Sequence, residues 1–314
     1  MSSKLRLLQP VTVTTAMLTA CNVPEPATGD TPDPAAYNAA TTYALAARCH
    51  VASTHMIYES VQAGNIGHDP STDTTLTWWM PVVATNRWRM FDARNTSKTS
   101  KAGGIDLTLA PGAVYSGLYL GGMSGVSSAQ VTMTDATVGV VYDKTTDMQV
   151  PMSSSDWYTY FFEPVEMGGE SVIATDLPIY PNATIRVQLF TASAPVVASI
   201  GVCVVGNVKE IGMGLNYGVR VGIQDYSRKE RNAYGDMLVV ERAFAKRASF
   251  EMHVPRAEVD AVQTLLASVR ATPCVWIGSD MYTSTVIFGF YKDFDIAIQY
   301  FDFSVLTLSL EGLT

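Results

Sequence analysis

Polar and apolar residues alternate along many short segments of this chain, which is the pattern of β-strands that pack on one face. The clearest case is residues 184–189, Thr-Ile-Arg-Val-Gln-Leu, where every second side chain is apolar. Between residues 105 and 205 such runs recur about every dozen residues, with turn-forming residues between them. The predicted strands are 105–109, 118–121, 129–133, 138–142, 157–162, 171–174, 184–190 and 196–205. This spacing predicts a jelly-roll-type β-sandwich over residues 93–205.

Residues 206–314 are predicted to form a C-terminal β domain with one amphipathic helix. The helix is expected at residues 256–270, where apolar residues recur at three- and four-residue steps, namely Val259, Val262, Leu265, Leu266 and Val269. Pro255 suits the first turn of this helix, and Pro273 marks its end. The predicted strands around it are 219–223, 237–242, 248–253, 274–277, 285–290, 294–300 and 303–310.

Residues 1–40 are predicted to form an N-terminal strand and a proline-rich tether. Val11 and Val13 alternate with threonines, which favours a strand. Residues 23–34 then hold four prolines and no basic residue. Proline fixes φ and removes a backbone donor, so we expect an extended tether that holds the strand away from the next module.

The same N-terminal region imitates a signal sequence, because Leu18–Cys21 looks like a lipoprotein cleavage box. Gln9, Pro10 and several threonines make the preceding stretch too polar for the apolar core of a signal peptide. No stretch of the chain approaches the ~18 apolar residues of a membrane helix. Membrane insertion is therefore not expected.

Composition excludes several classes of function. The chain has 314 residues, enough for two or three domains, and only 16% of them are charged. Its net charge of −8 gives no electrostatic footprint for nucleic acid. The densest basic stretch, residues 228–247, holds six Lys or Arg but also Glu230, Asp236 and Glu241. We interpret it as a solvated face of a sheet.

No residue pattern predicts catalysis or a cofactor. The four cysteines lie far apart, and Cys49, His50, His55 and His68 lack the paired spacing of a metal site. The nearest serine motif, residues 121–125, lacks the order of a nucleophile elbow. The sequence therefore predicts a protein that is not an enzyme and binds no cofactor. A weaker alternative is an envelope-degrading hydrolase that uses Asp225, Asp293 or His253.

Aromatic and turn residues between positions 43 and 92 follow a fixed order. Tyr43 and Tyr58 come first, a Gly/Pro turn follows at 64–70, and Trp78-Trp79 precede a closing segment at 85–92. This order resembles the type 3 chitin-binding modules (carbohydrate-binding family 5/12), including the version found in phage tail proteins. The resemblance implies a module of this kind over residues 41–92. Because sugars stack on exposed flat rings, Tyr58, Trp78 and Trp79 are its candidate glycan contacts. The alternative is that these rings form the core of a small module.

Residues 206–314 resemble phage tail proteins in five short segments: 222–229, 241–247, 276–278, 289–294 and 311–313. The resemblance implies a structural component of the virion tail, in the distal tail, tail tip or baseplate region. Its partners would be other tail proteins and further copies of itself in a homo-oligomer. A second hypothesis is a receptor-binding adhesin that recognises a glycan on the host cell surface.

Overall fold

A computed structural model describes residues 4–28, 32–148, 170–216, 218–231, 234–279 and 282–313. The described residues are mainly β, with 49% of them in strands and 7% in helices, which confirms the predicted β-sandwich-type fold class. The strands of the first half are β1 (Leu5–Pro10), β2 (Leu18–Cys21), β3 (Arg48–Val51), β4 (Met56–Ser60), β5 (Trp79–Ala84), β6 (Thr99–Ala102), β7 (Ile105–Leu109), β8 (Gly117–Gly121), β9 (Ser128–Asp135) and β10 (Gly139–Asp147).

The second half continues the strands and adds the helix. Its strands are β11 (Ser171–Ala174), β12 (Thr184–Phe190), β13 (Val197–Ile200), β14 (Val202–Ile211), β15 (Gly214–Leu215), β16 (Arg220–Asp225), β17 (Arg228–Arg231), β18 (Met237–Val240), β19 (Phe244–Pro255), β20 (Cys274–Ile277), β21 (Val286–Ala297) and β22 (Phe303–Gly312). The helix α1 spans Val259–Ser268, and single 3-10 turns lie at Arg89–Phe91, Arg256–Glu258 and Thr283–Thr285.

The chain forms two compact units. Unit 1 comprises Met1–Val11, Tyr115–Leu118 and Val204–Thr314. Unit 2 comprises Thr12–Val114 and Tyr119–Cys203. The N-terminal strand therefore belongs to the same unit as the C-terminal third of the chain.

Unit 2 contains a five-stranded antiparallel sheet in the order β10-β9-β12-β7-β2. The alternating strand predicted at residues 184–190 is its centre, β12, and Ile185, Val187 and Leu189 are buried there. Val187 lies opposite Leu107 of β7 and Val131 of β9. The apolar residues of three strands thus form rows on one buried face, as the period of two predicts.

A smaller three-stranded sheet, β3-β4-β5, forms the module within unit 2. Its core consists of Tyr43, Cys49, Tyr58 and Trp79, all at most 9% exposed. A sheet of this size buries little aliphatic surface, so large rings supply most of its core.

The proline-rich segment is packed against the module, so the expectation of a free extended tether is wrong for its described residues. Val23 and Ala27 are buried, and the Val23 carbonyl accepts a hydrogen bond of 2.6 Å from Arg87 Nε. Asp33 accepts from the Ala27 N–H at 2.7 Å and from the Asn86 N–H at 3.0 Å. Proline removes donors from this segment, but its carbonyls and acidic side chains still bind the module.

In unit 1, β1 is an inner strand of an antiparallel sheet that continues as β14-β1-β20-β21-β22-β19. β1 pairs with β14 on one side and with β20 on the other, and Leu5, Leu7 and Leu8 are fully buried. The strand expected around Val11 and Val13 lies earlier in the chain, at Leu5–Pro10, and the Val11 N–H still bonds the Val205 carbonyl at 2.9 Å.

The predicted helix is confirmed, with the 3-10 turn Arg256–Glu258 leading into α1. Val262, Leu266 and Val269 are buried in one core with Phe250 and Leu308, and Val259 and Leu265 pack against that core. The apolar stripe therefore fixes the helix on the sheet, as its period indicates.

Most predicted strands are confirmed in place. Those at 105–109, 171–174, 184–190 and 274–277 have the bounds that the structure gives. The strands expected at 285–290 and 294–300 are one long strand, β21, with a register irregularity between Tyr291 and Asp293. The strand expected at 157–162 lies outside the described residues.

The helix stripe yields a stability prediction. Leu266→Ala is expected to lower the free energy of unfolding of unit 1 by about 2–5 kcal/mol, because it removes a fully buried side chain. The matched control is Gln263→Ala on the exposed side of α1, which should change stability by less than about 0.5 kcal/mol. Urea unfolding followed by circular dichroism measures both. Equal effects would contradict the burial of the stripe.

Candidate functional site

Trp79 and Tyr58 are core residues of the module, so the expectation that they stack on a glycan is not met by their placement. Trp79 is 0% exposed, and its Nε1 donates to the His68 carbonyl at 2.7 Å. Tyr43 lies edge-on to its ring at a centroid distance of 5.0 Å. Tyr58 is 9% exposed and donates from its hydroxyl to Thr54 Oγ1 at 3.2 Å. Rings without an open face cannot hold a sugar.

Trp78 is the candidate ring that keeps an accessible part. It is half-buried and stacks on His68, with centroids 3.8 Å apart and planes 10° apart. Asp73 holds the backbone before it, because its carboxylate accepts the N–H groups of Thr77, Trp78 and Trp79 at 3.2, 2.7 and 2.9 Å. Burial alone would raise the pKa of Asp73, but these hydrogen bonds lower it to about 2. The ring is therefore fixed in position.

Sequence reasoning missed a buried carboxylate, Glu25, which ties the proline-rich segment to the module. Its side chain is 8% exposed. It accepts hydrogen bonds from Thr85 Oγ1 at 2.7 Å, Trp88 Nε1 at 2.9 Å and His55 Nδ1 at 2.9 Å. No local pattern signals this cluster, since its members are up to 63 positions apart in the sequence.

His55 extends the cluster to the turn that precedes β2. Its Nε2 lies 2.8 Å from Thr15 Oγ1, and its ring stacks on Trp88 with centroids 4.1 Å apart. Hydroxyl, imidazole and carboxylate in this order also occur in hydrolases, where an oxyanion hole completes the machinery. Here the same groups join three segments of one unit, residues 15, 25 and 55–88.

The acidic and histidine candidates for hydrolysis do not converge. Asp225 lies opposite Phe244 at the start of β19, whereas His253 lies nine positions further along that strand, roughly 30 Å away. Lys229 hydrogen-bonds the Asp225 carboxylate at 2.6 Å and lowers its pKa. Asp293 is exposed on β21, opposite Ser309. The three groups therefore share no site.

The most unusual feature of unit 1 is a two-stranded arm, residues 220–247. β16 pairs with β19 from Arg220↔Ser249 to Asp225↔Phe244, whereas β22 pairs with β19 only from Arg247 onward. The ribbon thus extends beyond the main sheet and continues as the hairpin of β17 and β18. Among the described residues from 223 to 244, Ser227 is half-buried and all the others are exposed.

Apolar side chains along the arm are exposed although they have the character of core residues. Met237, Leu238, Val239 and Val240 of β18 are 58%, 59%, 57% and 43% exposed. An isolated two-stranded hairpin is marginally stable in water, and an exposed apolar edge strand is a template for pairing with another chain. The arm is therefore a candidate docking element.

An open groove of about 500 Å³ lies at the base of the arm. Tyr226, Arg242, Tyr291 and Glu311 are among its lining residues, and the Tyr226 hydroxyl donates to Glu311 Oε1 at 2.9 Å. The groove draws on four of the five segments on which the sequence-based prediction of a tail protein rests: 222–229, 241–247, 289–294 and 311–313. The fifth contributes Trp276, whose ring meets Tyr291 edge-on at 6.4 Å. Segments spread over the last third of the sequence thus meet at one place.

No protein-family model matches this chain, and searches of curated proteins and of solved structures find no similar protein. Across the described ranges, His, Cys, Asp and Glu residues form no group of three placed to hold a metal ion. Within that same part of the chain, no helix combines the length and the apolar character needed to cross a bilayer.

The Glu25 cluster predicts a pH-dependent stability. Burial raises the pKa of Glu25, but the hydrogen bonds from Thr85, His55 and Trp88 outweigh burial and lower it. A lowered pKa gives a stabilisation that is complete above the unfolded value of about 4.3 and is lost as the pH falls through the folded value. Glu25→Gln should therefore destabilise unit 2 by about 1–3 kcal/mol at pH 7 and reduce the loss of stability at acid pH.

Urea unfolding at a series of pH values from neutral to acid measures this prediction. The control is Glu59→Gln, which alters a module carboxylate paired with the more exposed Arg48 and should cost less than about 1 kcal/mol. Identical pH profiles for the wild type and Glu25→Gln would contradict the role of Glu25.

Proposed function

We propose that this chain is a structural protein of a phage virion tail, in the distal tail, tail tip or baseplate region, and that it acts by docking on neighbouring subunits. The observation that carries the docking is the arm, in which an apolar strand and the strand edges beside it are exposed. Backbone edges and apolar side chains together supply affinity when an extended segment of another protein adds to a sheet.

The tail assignment is supported by the sequence resemblance of residues 206–314 to phage tail proteins. The resembling segments surround the groove at the base of the arm, so the resemblance and the docking element concern the same region of the fold.

A receptor-binding adhesin is the second candidate. The geometry of Trp78 is the observation that favours it. The ring is half-buried, it is backed by His68, and Asp73 fixes its backbone. A preorganised flat ring with one accessible part is the element that sugars use for stacking. In this case the module would bind a glycan on the host surface while unit 1 docks on the tail.

Docking through the arm can be tested by replacing apolar with polar residues. Leu238→Ser with Val239→Ser should leave the fold intact, because both side chains are exposed, and should lower incorporation into particles about tenfold or more. Incorporation is measured by mass spectrometry of particles complemented with each variant. The matched control is Val138→Ser with Val140→Ser, two residues 62% exposed outside the arm. Normal incorporation of the arm variant would contradict the proposal.

The adhesin candidate predicts that the protein is retained on purified host envelope polysaccharide. Trp78→Ala should reduce retention about tenfold, because stacking on an exposed ring is lost. Met80→Ala, at a position 46% exposed on the same module, serves as the control and should keep retention. Retention unaffected by Trp78→Ala, or a wild type that binds no glycan of a broad array, would exclude this candidate.

A further inference from the structure

The two strands of the arm hairpin differ in character along their whole length. β17 reads Arg-Lys-Glu-Arg and β18 reads Met-Leu-Val-Val. Their register places Lys229 opposite Val239 and Arg231 opposite Met237. On either face of the ribbon, the half formed by β17 is therefore charged and the half formed by β18 is apolar. The outer edge of β17 is consequently charged, and the outer edge of β18 is apolar.

β18 has the sequence of an inner strand but the position of an edge strand. Four consecutive apolar residues are typical of a strand that is buried on both faces. In the described structure β18 pairs with β17 alone, and its four side chains are 43–59% exposed. The two open edges of the hairpin differ in side chains, because β17 carries charged residues and β18 carries none. What β18 lacks is a neighbouring strand on its open side.

We infer, on the basis of the proposed docking function, that this neighbour is β17 of a second copy of the chain. The arms of successive copies then add edge to edge, β18 of one copy beside β17 of the next, into one continuous antiparallel sheet. Copies placed side by side in the same orientation satisfy this geometry, because β17 and β18 already run antiparallel within each arm.

Charge at the ends of the two strands supports this pairing. Asp236 and Glu241 flank the apolar run of β18, and Arg228 and Arg231 are the first and last residues of β17. An antiparallel pairing brings the acidic flanks of one copy to the basic ends of the next. Pairing of two β18 strands would instead bring Asp236 towards Glu241 of the other copy, and like charges across strands repel.

The charge of the whole chain also favours a second copy as the partner. Residues 220–247 contain seven Lys or Arg and four Asp or Glu, a net charge of +3. The full chain carries −8, so the remaining residues carry −11. The basic arm of one copy is attracted to the acidic body of another, which favours association between copies and offsets the repulsion between two basic arms. The register of the arms depends on the charges at the strand ends.

Cysteine cross-linking distinguishes the pairing modes. Val239→Cys and Lys229→Cys are introduced into separate chains that carry different affinity tags, in a Cys21→Ser background because Cys21 is the one partly exposed native thiol. The two positions face each other within one arm, so they must not be combined in a single chain. The two chains are co-expressed and treated with a short thiol-reactive cross-linker.

The inference expects covalent dimers that contain both tags, about tenfold more abundant than dimers from either chain expressed alone. Arg228→Glu with Arg231→Glu should suppress this cross-link, and co-expression with a chain carrying Asp236→Arg and Glu241→Arg should restore it. Thermal melts that match the wild type show that the variants are folded. Cross-links formed by Val239→Cys alone would show pairing between two β18 strands and overturn the inference.

Failure of the inference and failure of the proposed function give different results. If no cross-link forms but the arm variant of Leu238 and Val239 is still lost from particles, a different tail protein covers β18, and only the inference is overturned. If the cross-link forms but the same variant enters particles normally, the copies associate through their arms without tail docking. Absence of both effects overturns both proposals.

Discussion

The fold depends on the need of every strand to pair its backbone N–H and C=O groups on both sides or to leave them in water. Unit 1 meets this need at its centre by inserting β1, from the N-terminus, between β14 and β20. The approach is so close that a side chain at Gly206 would collide with the carbonyl of Gln9. Leu5 and Leu7 of β1 are buried in the core that also contains Phe250 and Leu308, which couples the two ends of the sequence in one core.

The arm meets the same need with water in place of a second partner strand. Its ribbon leaves the sheet at the point where β22 stops pairing with β19, so both faces of the hairpin are open to water. Elsewhere in unit 1 apolar strands such as β20 are fully buried, whereas the apolar residues of β18 are exposed. β18 and β20 are similar in composition and differ in their surroundings. The proposed association with another chain would give β18 the neighbouring strand that β20 has within the sheet.

Unit 2 solves a different problem, since its module is too small to rely on aliphatic packing. Rings fill its core, and a buried carboxylate at Glu25 anchors the proline-rich segment through three donors. A buried acid is stabilising when its oxygens are satisfied, and leaving its donors unpaired would be costly. The module therefore uses its neighbouring segment as part of its structure, and of the three candidate glycan contacts Trp78 alone keeps an accessible part.

The sequence by itself determined the elements, because the periods of two and of 3.6 residues record which side chains of a segment are buried. The alternation at residues 184–189 and the stripe from Val259 to Val269 are local properties, and both became the predicted strand and helix. The tertiary structure decided which segments became partners. It placed β1 between two distant strands, turned Trp79 and Tyr58 into core rings, and packed the proline-rich segment on the module. It also left Met237–Val240 exposed, although its sequence is that of a buried strand. Burial and pairing depend on contacts between residues far apart in the chain, and no local pattern of side chains records those contacts.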